Sequence, residues 1–218
     1  MFVPKINAWK EDADIKQFIK ENAFGILILT DAHGIPQATH IPILLEQTEN
    51  GTTVLRGHVS RANPSGKLIG TSKNALVIFH GAHSYVSSSW YEKENVSTWN
   101  YTAVHIYGKI RELTDAELLE NVTHLTEKYE SAMKKPRQVA SMSQDMIHKE
   151  MRGIIGFEMS LEDVQAKRKL SQNRNDPDYA NVVNELEQTP DAASKAVAEE
   201  MKKLRDLDYD KKADDDNR

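Results

Sequence analysis

The sequence predicts an α+β protein built on an antiparallel β-barrel, with helices grouped in its C-terminal half. Three observations carry that expectation. Short strand-like segments follow one another across tight turns from Ala23 to Leu113. A helical period dominates only from Thr114 onward. No helical pattern separates successive strands between residues 23 and 60, as a doubly wound parallel sheet would require.

The elements follow in order. Residues 10–21 place Ile15, Phe18 and Ile19 on one helical face. Ala23 to Leu29 is an unbroken apolar run, and Asp31-Ala32-His33-Gly34 is a hairpin-type turn. Ile35 to Leu45 reads as the returning strand, Glu49-Asn50-Gly51 as the next turn and Thr52 to Val59 as a third strand. Asn63-Pro64-Ser65-Gly66 breaks that strand before a short helix ending at Ile69. Ala75 to Phe79 reads as a buried strand, the next segment as a long loop, and Tyr101 to Leu113 as a long strand.

Thr114-x-x-Glu117 is a capping-box pattern, with Leu118, Val122, Leu125 and Tyr129 on one stripe. A Met-rich helix is predicted between Gln138 and Lys149, and a strand over 152–159. Asp176-Pro177 starts a helix with Tyr179, Val182, Val183 and Leu186 as its apolar face. Thr189-Pro190 starts a last one, with Ala193, Ala196, Val197, Met201 and Leu204 facing inward. Residues 1–188 are therefore expected to form one domain, and 189–218 a helical extension ending in a frayed, charged tail from Asp206.

Composition narrows the function classes. A chain of 218 residues can bury one substantial core. It contains no Cys, which excludes disulfides, thiolate metal sites and cysteine nucleophiles. No apolar run approaches the length of a membrane span, and Met1-Phe2-Val3-Pro4-Lys5 lacks a charged-then-apolar leader, so a cytoplasmic protein is expected. The net charge of −5 supplies no global basic footprint for duplex DNA. Gly-x-Ser-x-Gly elbows, P-loops, dinucleotide fingerprints and helix-turn-helix patterns are absent, so a nucleophilic or NTP-driven enzyme is not indicated.

The most informative segment runs from His80 to Tyr101. Its 22 residues hold two of three Trp, three of seven Tyr and two of eight His. Trp90, Tyr91, Trp99 and Tyr101 supply stacking faces beside the hydrogen-bonding groups of Ser87, Ser88, Ser89, Thr98 and Asn100, a set suited to a planar heteroaromatic ligand. The competing reading is an amphipathic loop packed on its own barrel or on a second subunit.

Two further segments carry polar chemistry. His58-Val59-Ser60-Arg61-Ala62-Asn63 through Lys67, at a strand end, mixes cations, hydroxyls, an amide and an imidazole, as a phosphate requires. Lys167-Arg168-Lys169-Leu170-Ser171-Gln172-Asn173-Arg174 is donor-rich and reads either as a ligand-facing segment or as a solvated linker. His80-x-x-His83, His40, His58 and His105 lack the spacing of a metal motif.

Six segments in order resemble the PaiB family, FMN-binding-type negative transcriptional regulators with a flavin-reductase-like split barrel. They are Met1-Phe2-Val3-Pro4; Pro36-x-x-Thr39-His40-x-Pro42; Gly57-His58-Val59-x-Arg61-Ala62-Asn63-Pro64; Val77-Ile78-Phe79 through Trp90-Tyr91; Thr98-Trp99-Asn100-Tyr101 through Gly108; and Lys169-Leu170-Ser171-Gln172-Asn173-Arg174. The resemblance reaches to about residue 188. Three departures stand out: Ser88, Ser97 and Ala82 occupy positions where the family commonly has Pro, which frees φ and implies a less pre-organised loop.

The resemblance implies a homodimer with flavin-type sites at the subunit interface, acting on promoter DNA of sporulation and degradative-enzyme genes in a bacterium. It places an FMN phosphate near His58, Ser60, Arg61 and Asn63, and the ring near Trp90, Trp99 and Tyr101. Gln172, Asn173 and Arg174 would contribute from the neighbouring chain. A flavin-dependent oxidoreductase and a haem-binding or haem-degrading protein on the same fold are the alternatives it leaves.

Overall fold

The structure, a computed structural model, describes residues 1–72 and 74–207. The chain divides into two compact units: a barrel unit of Asp12–Phe79 and Val104–Gln165, and a helical unit of Met1–Glu11, His80–Ala103 and Ala166–Arg218. The expected frayed tail falls, for residues 208–218, outside the described residues.

In the barrel unit, α1 (Asp12–Glu21) buries Ile15 and Ile19. β1 (Phe24–Thr30) pairs antiparallel with β2 (Pro36–Gln47), Ile26 opposite His40. The turn between them is set by Asp31, whose Oδ1 accepts from the amides of His33 and Ile35 at 2.9 Å each. Gly34 sits at φ +80, a conformation side chains resist. β3 (Thr53–Ser60) continues the sheet beside β2, and β7 (Ile154–Ser160) beside β3, with His58 opposite Gly156. β6 (Ile110–Glu112) closes one edge against β7. The first residues of β4 (Ala75–Val86) lie on the other side of β1, Ile26 opposite Ile78. Leu27, Leu29, Ile43, Leu55, Val77, Phe79, Ile106, Phe157 and Met159 are all fully buried and form the core. Alternating side chains reach it because strand residues point to opposite faces in turn.

Helices flank these strands. α2 (Gly66–Ile69) is one turn long. α3 (Asp115–Glu130) starts at the predicted capping box, with Thr114 and Glu117 bonded reciprocally. Leu118 is buried, but Tyr129 is exposed, its ring under the Lys128 ammonium at 5.7 Å. The predicted Met-rich helix resolves into a 3-10 turn at Val139–Ser141 followed by α4 (Gln144–Met151), capped by Ser143.

In the helical unit, the second half of β4, the first half of β5 (Thr98–Gly108) and the end of β8 (Asp163–Lys169) carry α5 (Asp176–Gln188) and α6 (Ala192–Leu204). Asn175 and Asp191 cap the two helices, accepting from Asp178 N at 2.8 Å and Ser194 N at 2.9 Å. Val86, Tyr91, Leu170, Tyr179, Val182, Val183, Leu186, Val197, Ala198 and Met201 form one buried cluster. Each of its buried Val, Leu and Met side chains contributes about 1.5–3 kcal/mol by leaving water. Two polar ties cross the cluster: Tyr179 OH donates to Met201 O, and Ser84 Oγ meets Ser194 Oγ, both at 2.8 Å.

Two expectations are corrected. Half of the expected aromatic loop is strand: β4 runs on to Val86 and β5 begins at Thr98, leaving 87–97 as the connection. The alternation of buried and exposed residues changes phase between His80 and His83, as one extra residue in a strand produces, and that break hides the period. β8, whose last three residues open the Lys167–Arg174 stretch, carries no strand signal in Asp-Val-Gln-Ala-Lys-Arg-Lys, whereas strand pairing needs only backbone.

Candidate functional site

The phase change in β4 puts His80, His83 and Tyr85 on one exposed face in the helical unit, and Trp99 of β5 joins them. Trp99 is 53% and Tyr85 47% exposed, although both lie within strands. Their rings meet edge-on at 6.0 Å, and the His83 ring lies 6.1 Å from both Trp99 and His80. A cavity of about 280 Å³ opens beside His80, His83, Trp99 and Tyr101. The Lys167 ammonium stands 5.1 Å over the Tyr101 ring, adding positive charge at its rim.

Other expected contact residues are engaged elsewhere in this unit. Trp90 packs against the helical cluster, and its carbonyl accepts from Asn181 Nδ2 at 2.6 Å. Gln172 closes its own turn, accepting from Leu170 N at 2.7 Å and donating to Arg168 O. Arg174 stacks its guanidinium 4.3 Å over the Tyr91 ring, and the exposed Asn173 stands beside it. Hydrogen bonds hold the turn at 87–92: Ser87 Oγ meets Ser89 Oγ at 2.8 Å, and Glu92 N donates to Asp178 Oδ1 at 2.9 Å.

The strand-end segment lies in the barrel unit, where β3 hands over to α2. His58 is half-buried, its Nδ1 has no hydrogen-bond partner, and burial holds its pKa below the usual imidazole range. Ser60 is exposed, and its Oγ accepts from Ala62 N at 3.3 Å. Arg61 spends its guanidinium on the carbonyls of Arg152 (3.2 Å) and Ile154 (3.1 Å). Asn63 accepts from Ser65 N at 2.9 Å and donates to Thr39 Oγ1 at 3.4 Å. These bonds shape the turn and leave the exposed Lys67, whose ammonium makes no hydrogen bond or ion pair with the described residues, as its uncommitted cation.

Thus the ten predicted site residues divide between the units: His58, Ser60, Arg61 and Asn63 in one, Trp90, Trp99, Tyr101, Gln172, Asn173 and Arg174 in the other. His80, His83 and Tyr85 join the exposed aromatic face, although they were not singled out as ligand contacts. The signal available for them was a strand pattern with one inserted residue.

Comparison with known proteins agrees with this architecture. A family model described as "Putative FMN-binding domain" matches residues 1–163. The chain is 40% identical over 201 residues to the Protease synthase and sporulation protein PAI 2 of Bacillus subtilis (strain 168), covering 92% of this chain and 96% of that one. Among solved structures it is similar to the FAD and heme binding protein from Mycobacterium smegmatis: TM-score 0.55, 14% identity, 75% of this chain and 73% of that one. It is also similar to the flavocytochrome Anf3 from Azotobacter vinelandii: TM-score 0.56, 14% identity, 79% and 74% covered. At those identities the structural likeness carries the fold, an antiparallel split barrel with associated helices. The chain belongs to the PaiB family of FMN-binding-type split barrels.

Proposed function

We propose that this chain is a PaiB-type transcriptional regulator, a cytoplasmic homodimer that represses sporulation and degradative-enzyme genes and responds to FMN or a related planar ligand. The observation that carries the ligand part is the exposed Trp99 indole, flanked by His83 and Tyr85 on paired strands. An aromatic left half in water on a rigid strand is a stacking platform awaiting a partner. FMN offers a planar ring system and a phosphate dianion. In this reading Trp99 and Tyr101 of the helical unit would face the ring with Trp90, Gln172, Asn173 and Arg174 behind them, and His58, Ser60, Arg61 and Asn63 of the barrel unit would be the phosphate-side residues. A bound flavin supplies reversible electron acceptance, while the protein positions and tunes it.

The regulatory part rests on the 40% identity to a relative whose name connects it with protease synthesis and sporulation. With a net charge of −5, any DNA contact must come from a local patch.

Titration of the purified full chain with FMN tests the ligand. Saturable quenching of flavin fluorescence is expected, weakened about fivefold or more by Trp99→Ala, since stacking on an aromatic is worth about 1–3 kcal/mol. Unquenched flavin overturns this part. Promoter-fragment binding across a salt series tests repression; equal affinity for promoter and random DNA sinks direct regulation. Haem is the second reading, favoured by the exposed His80 and His83 imidazoles, and predicts a Soret shift lost in His83→Ala.

A further inference from the structure

Two groups of partly buried cations in this chain are treated in opposite ways. In the barrel unit, Arg56 is matched to Glu46, Glu120 and Glu158, and Arg111 to Glu117 and Glu158. In the helical unit, Lys167, Lys169 and Arg174 have no carboxylate partner among the described residues. Lys167 is 8% exposed, and its ammonium is held by Phe2 O at 3.2 Å and the Tyr101 ring. Lys169 donates to Thr98 Oγ1 and, at 2.8 Å, to Trp99 O. Arg174 lies on Tyr91, and its guanidinium makes no hydrogen bond among the described residues. Burial, then Lys167 and Arg174, hold the Lys169 ammonium below its usual range.

Lys169 and Arg174 face a cavity of about 180 Å³ that no carboxylate lines. Asn7 and Asn173 bring amides to its wall, and neither side chain is used in another hydrogen bond. Its inner wall is rigid: Asn100 and Ser171, both buried, exchange hydrogen bonds at 3.0 and 3.2 Å. That exchange holds Ser171 at φ 60, the left-handed region that non-glycine residues enter at a cost. A strained turn locked by a buried polar pair, aiming unmatched cations into a small cavity, is the construction of an oxyanion receptor. Guanidinium forks suit two oxygens of one group, and ammonium supplies point charge.

We infer that this cavity binds a phosphate-type dianion, either free phosphate or a terminal phosphomonoester, through Lys169, Arg174, Asn7 and Asn173, with Lys167 adding charge. The inference does not rest on the planar-ligand reading, because inorganic phosphate alone is expected to bind.

The test is calorimetric titration of the full chain with inorganic phosphate, using chloride at matched ionic strength as reference. Saturable binding is expected in the wild type. Lys169→Met and Arg174→Met should each weaken it at least tenfold. Asn173→Asp, an exposed change that leaves the core untouched, should do the same by placing a carboxylate at the rim. Lys169→Arg should retain most of the affinity. FMN and riboflavin then distinguish the sources. Competition between FMN and phosphate, with an FMN preference over riboflavin that Asn173→Asp abolishes, identifies a flavin phosphate as occupant. Phosphate binding with no such preference identifies free phosphate. No phosphate binding by the wild type, or wild-type affinity in a folded Asn173→Asp protein, overturns the inference.

Discussion

Arg56 Nη2 lies 2.8 Å from Glu158 Oε2, and Arg56 Nε reaches the same oxygen at 2.9 Å. Arg56 is 6% exposed, and its Nη1 also meets Glu120 at 2.9 Å and Glu46 at 3.5 Å. Desolvation makes such a centre costly to assemble and costlier to break on one side. Arg56→Met should lose about 3–5 kcal/mol of stability, because it leaves several carboxylates without their cation. Glu120→Gln should lose less than about 1 kcal/mol, since that side chain is half in water. Urea unfolding of both variants checks the ranking, and equal losses would refute it.

Glu117 makes stability depend on pH in the acid range. The Arg111 guanidinium, then the Thr114 amide, hold its carboxyl at about 2, against an ordinary 4.5. The folded state therefore binds this proton less readily than the unfolded one. Its stabilisation is complete above pH 4.5 and drains away as pH falls toward 2. Glu117→Gln should flatten that part of the acid limb in unfolding midpoints measured at pH 3 and pH 6. Thr114→Ala, which removes the cap and the hydroxyl's bond to Glu117 but leaves Arg111 in place, should cost about 1 kcal/mol.

Gly108 is the tightest backbone approach in the barrel unit. A Cβ added there would stand 1.8 Å from Ser160 O, and that carbonyl belongs to a strand that cannot retreat. Gly108→Ala should cost more than about 3 kcal/mol, at the upper end of overpacking effects, or prevent folding. Thermal melts beside Gly34→Ala, where nothing lies within 4 Å of the added Cβ, separate steric clash from backbone strain.

Met201 ties α6 into the helical cluster: it is fully buried, and its carbonyl accepts from Tyr179 OH. Met201→Ala should lose about 2–5 kcal/mol. Truncation after Gln188 should expose Val86, Tyr179 and Leu186 and yield insoluble protein. A soluble, cooperative truncated chain, measured by calorimetry, would show that α6 is dispensable.

Much was legible before any tertiary information. The Thr114–Glu117 box and the Asp31–Gly34 turn appear where the residues announce them, because cap and turn chemistry act over three or four residues. The starts of α5 and α6 fall one or two residues from those read at Asp176-Pro177 and Thr189-Pro190: Asn175 and Asp191 are the caps, and Thr189 ends α5. β8 and the true length of β4 were not legible, since pairing partners far away in sequence decide both.

The sequence by itself determined the antiparallel α+β class, the family and the aromatic character of His80–Tyr101, because those follow from residue type, order and local period. Only the tertiary structure decided what that segment does. It turned half of the expected loop into strand, set Trp99 and Tyr85 in water, and packed Trp90 against the helical cluster. It also converted a donor-rich stretch, readable as linker, into a strand end and turn holding unmatched cations around a cavity. Burial and charge pairing are properties of neighbours in space, and spacing along a chain does not encode them.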